Sequence, residues 1–287
     1  MTTDLRALVA DELSQPVDPR VAAMAKAVAG RHGPASRAVL FYGSCLREKQ
    51  LDGLMLDFYL IVSDYDSAYD KAWMAKANAL IPPNVFPFQH DGLAAKYAVL
   101  SEADFHRLNG PETRNVSVWA RFAQPSRLVW VADATARTAA ISSVARAAPT
   151  LLAAAGKNAG ESDLDWWRRA FALTYSAELR AERKGRAGSV IDAEIARYQR
   201  FSPAVIAAID PQAQSGQWGR RRIEGKALSV LRLAKASATY VGGAEYIAWK
   251  INRHAGTDIE LKPWQKRHPL LAAVSLLPRL LRSGAIR

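Results

Sequence analysis

The chain has 287 residues, 49% hydrophobic and 23% charged, enough for one large domain or two ordinary ones with real cores. A formal net charge of +12 leaves two readings open: an anionic partner (nucleic acid, nucleotide or acidic membrane surface), or merely a basic soluble protein. A single cysteine, Cys45, excludes an internal disulfide framework and fits a reducing compartment.

The opening "MTTDLRALVADELSQPVDPR" carries acids and no apolar core, so it reads as neither a secretory signal nor a transit peptide. The apolar runs near the end are shorter than the roughly 18 residues of a membrane span, so a soluble or peripheral protein is expected. Residues 17–32 are predicted as a helix with Val21, Met24, Ala25 and Val28 on one face, stopped by Gly33-Pro34. "AVLFYG" and "LMLDFYLIV" read as successive strands, "DSAYDKAWMAKANALI" as a helix closed by Pro82-Pro83, and "KYAVLS" and "RLVWVAD" as further strands. From about residue 134 the pattern turns helical: "TARTAAISSVARAAPTLLAAAG", "LDWWRRAFALTYSAELRAERKG" and "SVIDAEIARYQRFSPAVIAAI", the last punctuated by Pro203. A polar loop over 210–218 precedes "EGKALSVLRLAKASAT" and "GAEYIAWKINRHAG". A sheet domain followed by a helical one is expected.

One carboxylate stands out. Asp57 lies in a strand among Phe58, Leu60, Ile61 and Val62, where an unpaired acid costs several kcal/mol once buried. A Gly43-Ser44 turn precedes it by about a dozen residues. Strand, Gly-Ser, gap and Asp-bearing strand is the layout of polymerase-β-like nucleotidyltransferases. There the turn admits phosphates to the backbone, and the acid holds Mg²⁺ against the triphosphate. The pattern alone also fits a strand-end acid in solvent. It lacks the usual Asp-x-Asp pair, since Met55 and Tyr59 occupy the partner positions.

"YGSC", "MLDF", "KYAV" and "TYSAELR" resemble, in order and spacing, the successive motifs of the mitochondrial-type CDP-diacylglycerol synthases, the mitochondrial translocator assembly and maintenance family. A further stretch, "NVSVWARFAQPSRLV", is similar to the family's segment with a matching arginine, here Arg121. The resemblance covers about residues 39–180 and continues loosely to 256. Cys45 and Ala98 stand where the family has glycine, and Ala177-Glu178 where it has Gly-Asp.

The resemblance implies an α+β protein: a nucleotidyltransferase domain with a mixed sheet (1–135), a mainly helical, winged-helix-like domain (136–258) and a basic amphipathic C-terminal helix (259–287). It implies a CTP:phosphatidate cytidylyltransferase using Mg²⁺. Asp57 would be the metal ligand, with Asp52 or Glu178 as a second; Gly43 and Ser44 would hold the CTP phosphates. Lys96 would meet a phosphate, although an edge-strand lysine that snorkels fits the same pattern. Arg121 and Arg180 would neutralise phosphatidate or pyrophosphate, and Tyr175 and Glu178 fall in the fourth motif. One acid suffices for such an acceptor, because a phosphomonoester with a second pKa of about 6 is already a dianion at neutral pH. A hydroxyl acceptor would need a second carboxylate beside Asp57, which makes the positions of Asp52, Asp91 and Glu102 informative.

Residues 261–287 hold six Lys/Arg and no acid around Trp264 and "PLLAAVSLLPRLL". Such a segment can lie in an anionic leaflet or dock on the protein's own core. The implied place is the inner face of a bacterial cell membrane, peripherally bound. The five histidines show no metal-ligand spacing, "GRRRIEGK" at 219–226 reads as a solvated basic turn, and no specific nucleic acid is expected. The rivals are a nucleotidyltransferase with another acceptor and a non-catalytic basic scaffold that binds nucleic acid.

Overall fold

The computed structural model describes residues 4–48, 51–178, 190–213, 215–239 and 262–263. Helix α1 (Leu5–Ser14) starts at Asp4, whose carboxylate accepts from the Arg6 N–H; the sequence reading passed over it. Helix α2 (Pro19–Gly30) combines an Asp18 cap with proline in its first turn, and buries the expected Val21, Met24, Ala25 and Val28. Strand β1 (Ser36–Tyr42) leads into the short α3 (Ser44–Glu48), and β2 (Met55–Val62) follows. The helix expected next is two: α4 (Tyr65–Ala68), capped by Asp64, and α5 (Ala72–Leu80).

Strand β3 (Asn84–His90) was not foreseen, since Pro87 interrupts its pattern. Proline is tolerated there because β3 is an edge strand. Strand β4 (Leu93–Ser101), α6 (Glu102–Leu108), α7 (Trp119–Phe122) and β5 (Ser126–Val131) complete a mixed five-stranded sheet in the order β3-β4-β2-β1-β5. Only β2 and β4 run parallel; the other neighbours are antiparallel.

A mainly helical region follows: α8 (Ala134–Ala145), α9 (Ala147–Ala155), α10 (Asp163–Ala177), α11 (Ile195–Ala207) and α12 (Trp218–Thr239). The run read as one helix over 135–156 breaks at Arg146, and Pro203 sits inside α11 without ending it. By length and composition Ala134–Ala155 could span a membrane, but half of its apolar window is buried within the protein. The stretch "GRRRIEGK" opens α12 instead of forming a solvated turn. Arg221 within it is buried, donating to the carbonyls of Thr113, Arg114 and Gly216.

Strand alternation divides the sheet between two cores. Val39, Phe41, Leu56, Phe58, Leu60 and Val99 face α2. Leu40, Tyr59, Ile61 and Leu100 face the other way, into a cluster that includes Trp119, Leu151, Trp167 and Phe171 from the helices. Long-range ion pairing ties α1 into this second layer. Arg197 of α11 donates to both Glu12 oxygens (Nη2 to Oε1 2.8 Å) and to the Ala123 carbonyl, and its guanidinium lies over the Tyr198 and Phe201 rings.

Candidate functional site

The site is a crosswise row of the sheet. Tyr42, the last residue of β1, pairs with Asp57 of β2, and Asp57 pairs with Lys96 of β4. Asp57 and Lys96 are even steps from Tyr59 and Ala98, so they share the face that looks toward the helices. Lys96 Nζ lies 2.8 Å from Asp57 Oδ1, and the two side chains are 27% and 20% exposed. The strand acid therefore meets its opposite charge across the parallel pair. Oδ1 is nonetheless buried and has no hydrogen-bond partner of good geometry among the described residues.

Gly43 turns the chain out of β1 with φ 95°, a left-handed conformation. A Cβ there would lie 2.9 Å from Asp57 Oδ2, so glycine makes room for the carboxylate as well as for the turn. Ser44 follows, half-buried at the start of α3. Cys45 is buried in that helix with its Sγ donating to the Met55 carbonyl at 3.5 Å, and left-handed backbone is found at Gly43.

A second cluster lies close by. Arg121 of α7 pairs with Glu178, just past the C-terminal end of α10, at 3.4 Å, and donates to the Ser117 carbonyl. Burial works against the Arg121 charge, yet Glu178, Tyr59, Tyr42 and Asp57 together hold the guanidinium above its ordinary range. The Tyr42 and Tyr59 rings lie 5.4 Å apart between the two clusters. Burial, then the negative charge of Asp57, raises the Tyr42 hydroxyl well above its usual value, while Arg121 opposes the shift. Burial likewise raises Tyr59, against the pull of Arg121 and Arg232. Arg232 reaches in from α12, donating Nε to the Pro82 carbonyl at 2.8 Å and Nη1 to Ser117 Oγ at 2.9 Å.

The structure thus brings Gly43, Asp57 and Lys96 together and pairs Arg121 with Glu178. Tyr175 is half-buried one turn before Glu178, and Arg180 lies outside the described residues, as do the helix expected at 243–256 and nearly all of 259–287. Asp52 is not gathered in: it is 79% exposed and paired with Arg20 at 3.0 Å. Asp91 sits in the β3–β4 turn on His90, and Glu102 pairs with Arg37 at the other end of β4.

Among the described residues no group of three or more His, Cys, Asp or Glu could hold a metal ion. Magnesium commonly takes one or two carboxylates and completes its shell with phosphate oxygens and water. Asp57 would serve that mode as the one protein carboxylate, with Oδ1 trading its Lys96 contact for the ion; Asp52 does not join it.

Reading the sequence missed Tyr42, Ser117 and Arg232 as neighbours of these groups. Alternation from Asp57 placed Tyr59 on its face, but nothing local to α12 announced Arg232. No family model matches the chain, and no curated protein matches it.

Proposed function

We propose that the protein is a nucleotidyltransferase whose acceptor is a phosphate group, and that it makes CDP-diacylglycerol and pyrophosphate from CTP and phosphatidate. The single observation that carries this reading is the row of Gly43, Asp57 and Lys96, with one strand acid and, among the described residues, no second carboxylate in contact with it. Its family-level content comes from the four-motif resemblance, and its fold-level content is a polymerase-β-like sheet followed by a winged-helix-like region.

Activating a hydroxyl calls for a general base near the metal ligand. Tyr59 occupies the same-face position two residues after Asp57, and Asp52, Asp91 and Glu102 are engaged elsewhere. A phosphomonoester acceptor needs no such base, because it arrives deprotonated. What the chain must supply is positioning and positive charge. Gly43 and Ser44 admit the triphosphate close to the backbone. Asp57 would hold Mg²⁺, which when bound offsets triphosphate charge and activates the α-phosphorus toward attack. Lys96, Arg121 and Arg180 bring the second polyanion close. In the transfer, an acceptor phosphate oxygen forms a bond to the CTP α-phosphorus while the bond to the bridging oxygen breaks, and pyrophosphate leaves. An acceptor that resides in a bilayer fits a peripheral protein, with 259–287 as the contact segment.

The test is pyrophosphate release from CTP and Mg²⁺, with and without phosphatidate vesicles, for the native chain and Asp57→Asn. Phosphatidate-dependent release that vanishes in the variant is expected. Release that needs neither phosphatidate nor Asp57 would sink the site assignment. Release that needs Asp57 and a different acceptor would keep the reaction type and discard the lipid.

A further inference from the structure

Two guanidinium groups lie side by side over one residue. Ser117, itself 2% exposed, accepts from Arg121 through its carbonyl and from Arg232 through its hydroxyl. Glu178 pairs with Arg121, but among the described residues no carboxylate pairs with Arg232. Arg232 spends Nε on the Pro82 carbonyl and Nη1 on Ser117, while its Nη2 is buried with no hydrogen-bond partner among the described residues. Like charges at close quarters in a desolvated setting repel, and a buried donor left unmade is costly. A buried donor of this kind calls for a partner the described residues do not supply, a water or a bound anion. Here the surplus is one positive charge on a planar fork, the shape that matches phosphate oxygens two at a time. Arg121, 29% exposed, leaves an approach.

We propose that Arg121 and Arg232, joined through Ser117, form an anion subsite for a phosphomonoester or pyrophosphate group, with Arg232 Nη2 donating to the bound anion. The subsite stands on the charge count and the Ser117 bridge. Its place as the acceptor side or leaving-group side of a transfer rests on the function proposed above.

The experiment is calorimetric titration of the full chain at low salt with pyrophosphate and, separately, with a short-chain soluble phosphatidate. The proteins are the native chain, Arg232→Gln, Arg232→Lys, Ser117→Ala and Asp57→Asn. Binding by the native chain is expected to weaken at least about tenfold in Arg232→Gln, to recover in part in Arg232→Lys, and to persist in Asp57→Asn without metal. Pyrophosphate alone binding assigns the leaving-group side, and phosphatidate alone the acceptor side. If Arg232→Gln does not fold, Arg232→Lys and Ser117→Ala carry the test, each expected to weaken binding. Native protein that binds neither anion, or folded Arg232 variants that bind as tightly as native, would overturn the subsite. Arg232-dependent binding without any CTP turnover would leave the subsite standing and remove the reaction. Turnover unchanged in kcat and KM by Arg232→Gln would do the reverse.

Discussion

Asp57 and Lys96 face each other across the one parallel strand pair of the sheet, carboxylate to ammonium at 2.8 Å. Each compensates the other's charge in a setting only a fifth to a quarter exposed, so removing one strands the other. Lys96→Met and Asp57→Asn should each destabilise the fold, and the double variant should cost less than their sum by about 0.5–3 kcal/mol. Urea unfolding of the four proteins measures this coupling. Strict additivity would mean that the pair is held together by the strands without a net interaction of its own.

At Gly43 an alanine must adopt left-handed backbone and place its Cβ against Asp57 Oδ2. Gly43→Ala should cost about 1–3 kcal/mol and should push the carboxylate out of its row. Thermal melts read the first effect. The second appears as pyrophosphate release that falls further than the loss of stability explains, when assayed well below the melting temperature.

The same reasoning applies where α12 crosses α10. A Cβ on Gly225 would run into the Ala177 carbonyl oxygen, one residue before Glu178. Backbone cannot give way as a side-chain tip can, so Gly225→Ala should cost about 1–3 kcal/mol through overpacking. It should also separate Arg232 from Ser117. A melt equal to native would show that the two helices do not approach this closely in solution.

Lys235 gives a pH signature. Its Nζ donates to the carbonyls of Ile81 and Pro83 at the end of α5, and burial, with Arg232 adding like charge, pushes it down to about 7. In the unfolded chain a lysine titrates at about 10.4. Between these values the unfolded chain binds a proton that the folded chain lacks, so stability should rise with pH from about 7 toward 9.5. Below about 7 both states are protonated and the burial penalty is fully present. Above about 10 the raised tyrosines Tyr42 and Tyr59 act in the opposite sense. Urea midpoints across this window should climb for the native chain and flatten in Lys235→Met; equal slopes would contradict the shift.

Much of the sheet was legible because β1, β2 and β4 are buried on both sides and read as continuous apolar runs. β3 was not, because Pro87 and Gln89 break its alternation on an exposed edge. The break at Arg146 and the passage of α11 through Pro203 also escaped a reading based on helical spacing, since tertiary packing decides both. Of the site, Gly43, Ser44, Asp57 and Lys96 were legible as local motif residues. The Arg121–Glu178 pair was not, although both residues were singled out, because the partners are 57 residues apart and meet only in the folded chain. Arg232 belongs to a helix whose own sequence reads as an ordinary basic surface, and only its long reach to Ser117 gives it away.

The tie between Glu12 and Arg197 spans 185 residues. At 5–20 residues per second, the ribosome finishes the guanidinium roughly 10–40 s after the carboxylate. Through that interval the first helix made can rest on β5 and α8 while its acid still faces water, because the wall that α11 adds does not yet exist. The N-terminal segment is therefore locked down late in biogenesis, and in nascent chains halted before Arg197 it should be cut faster by a protease than in the released protein.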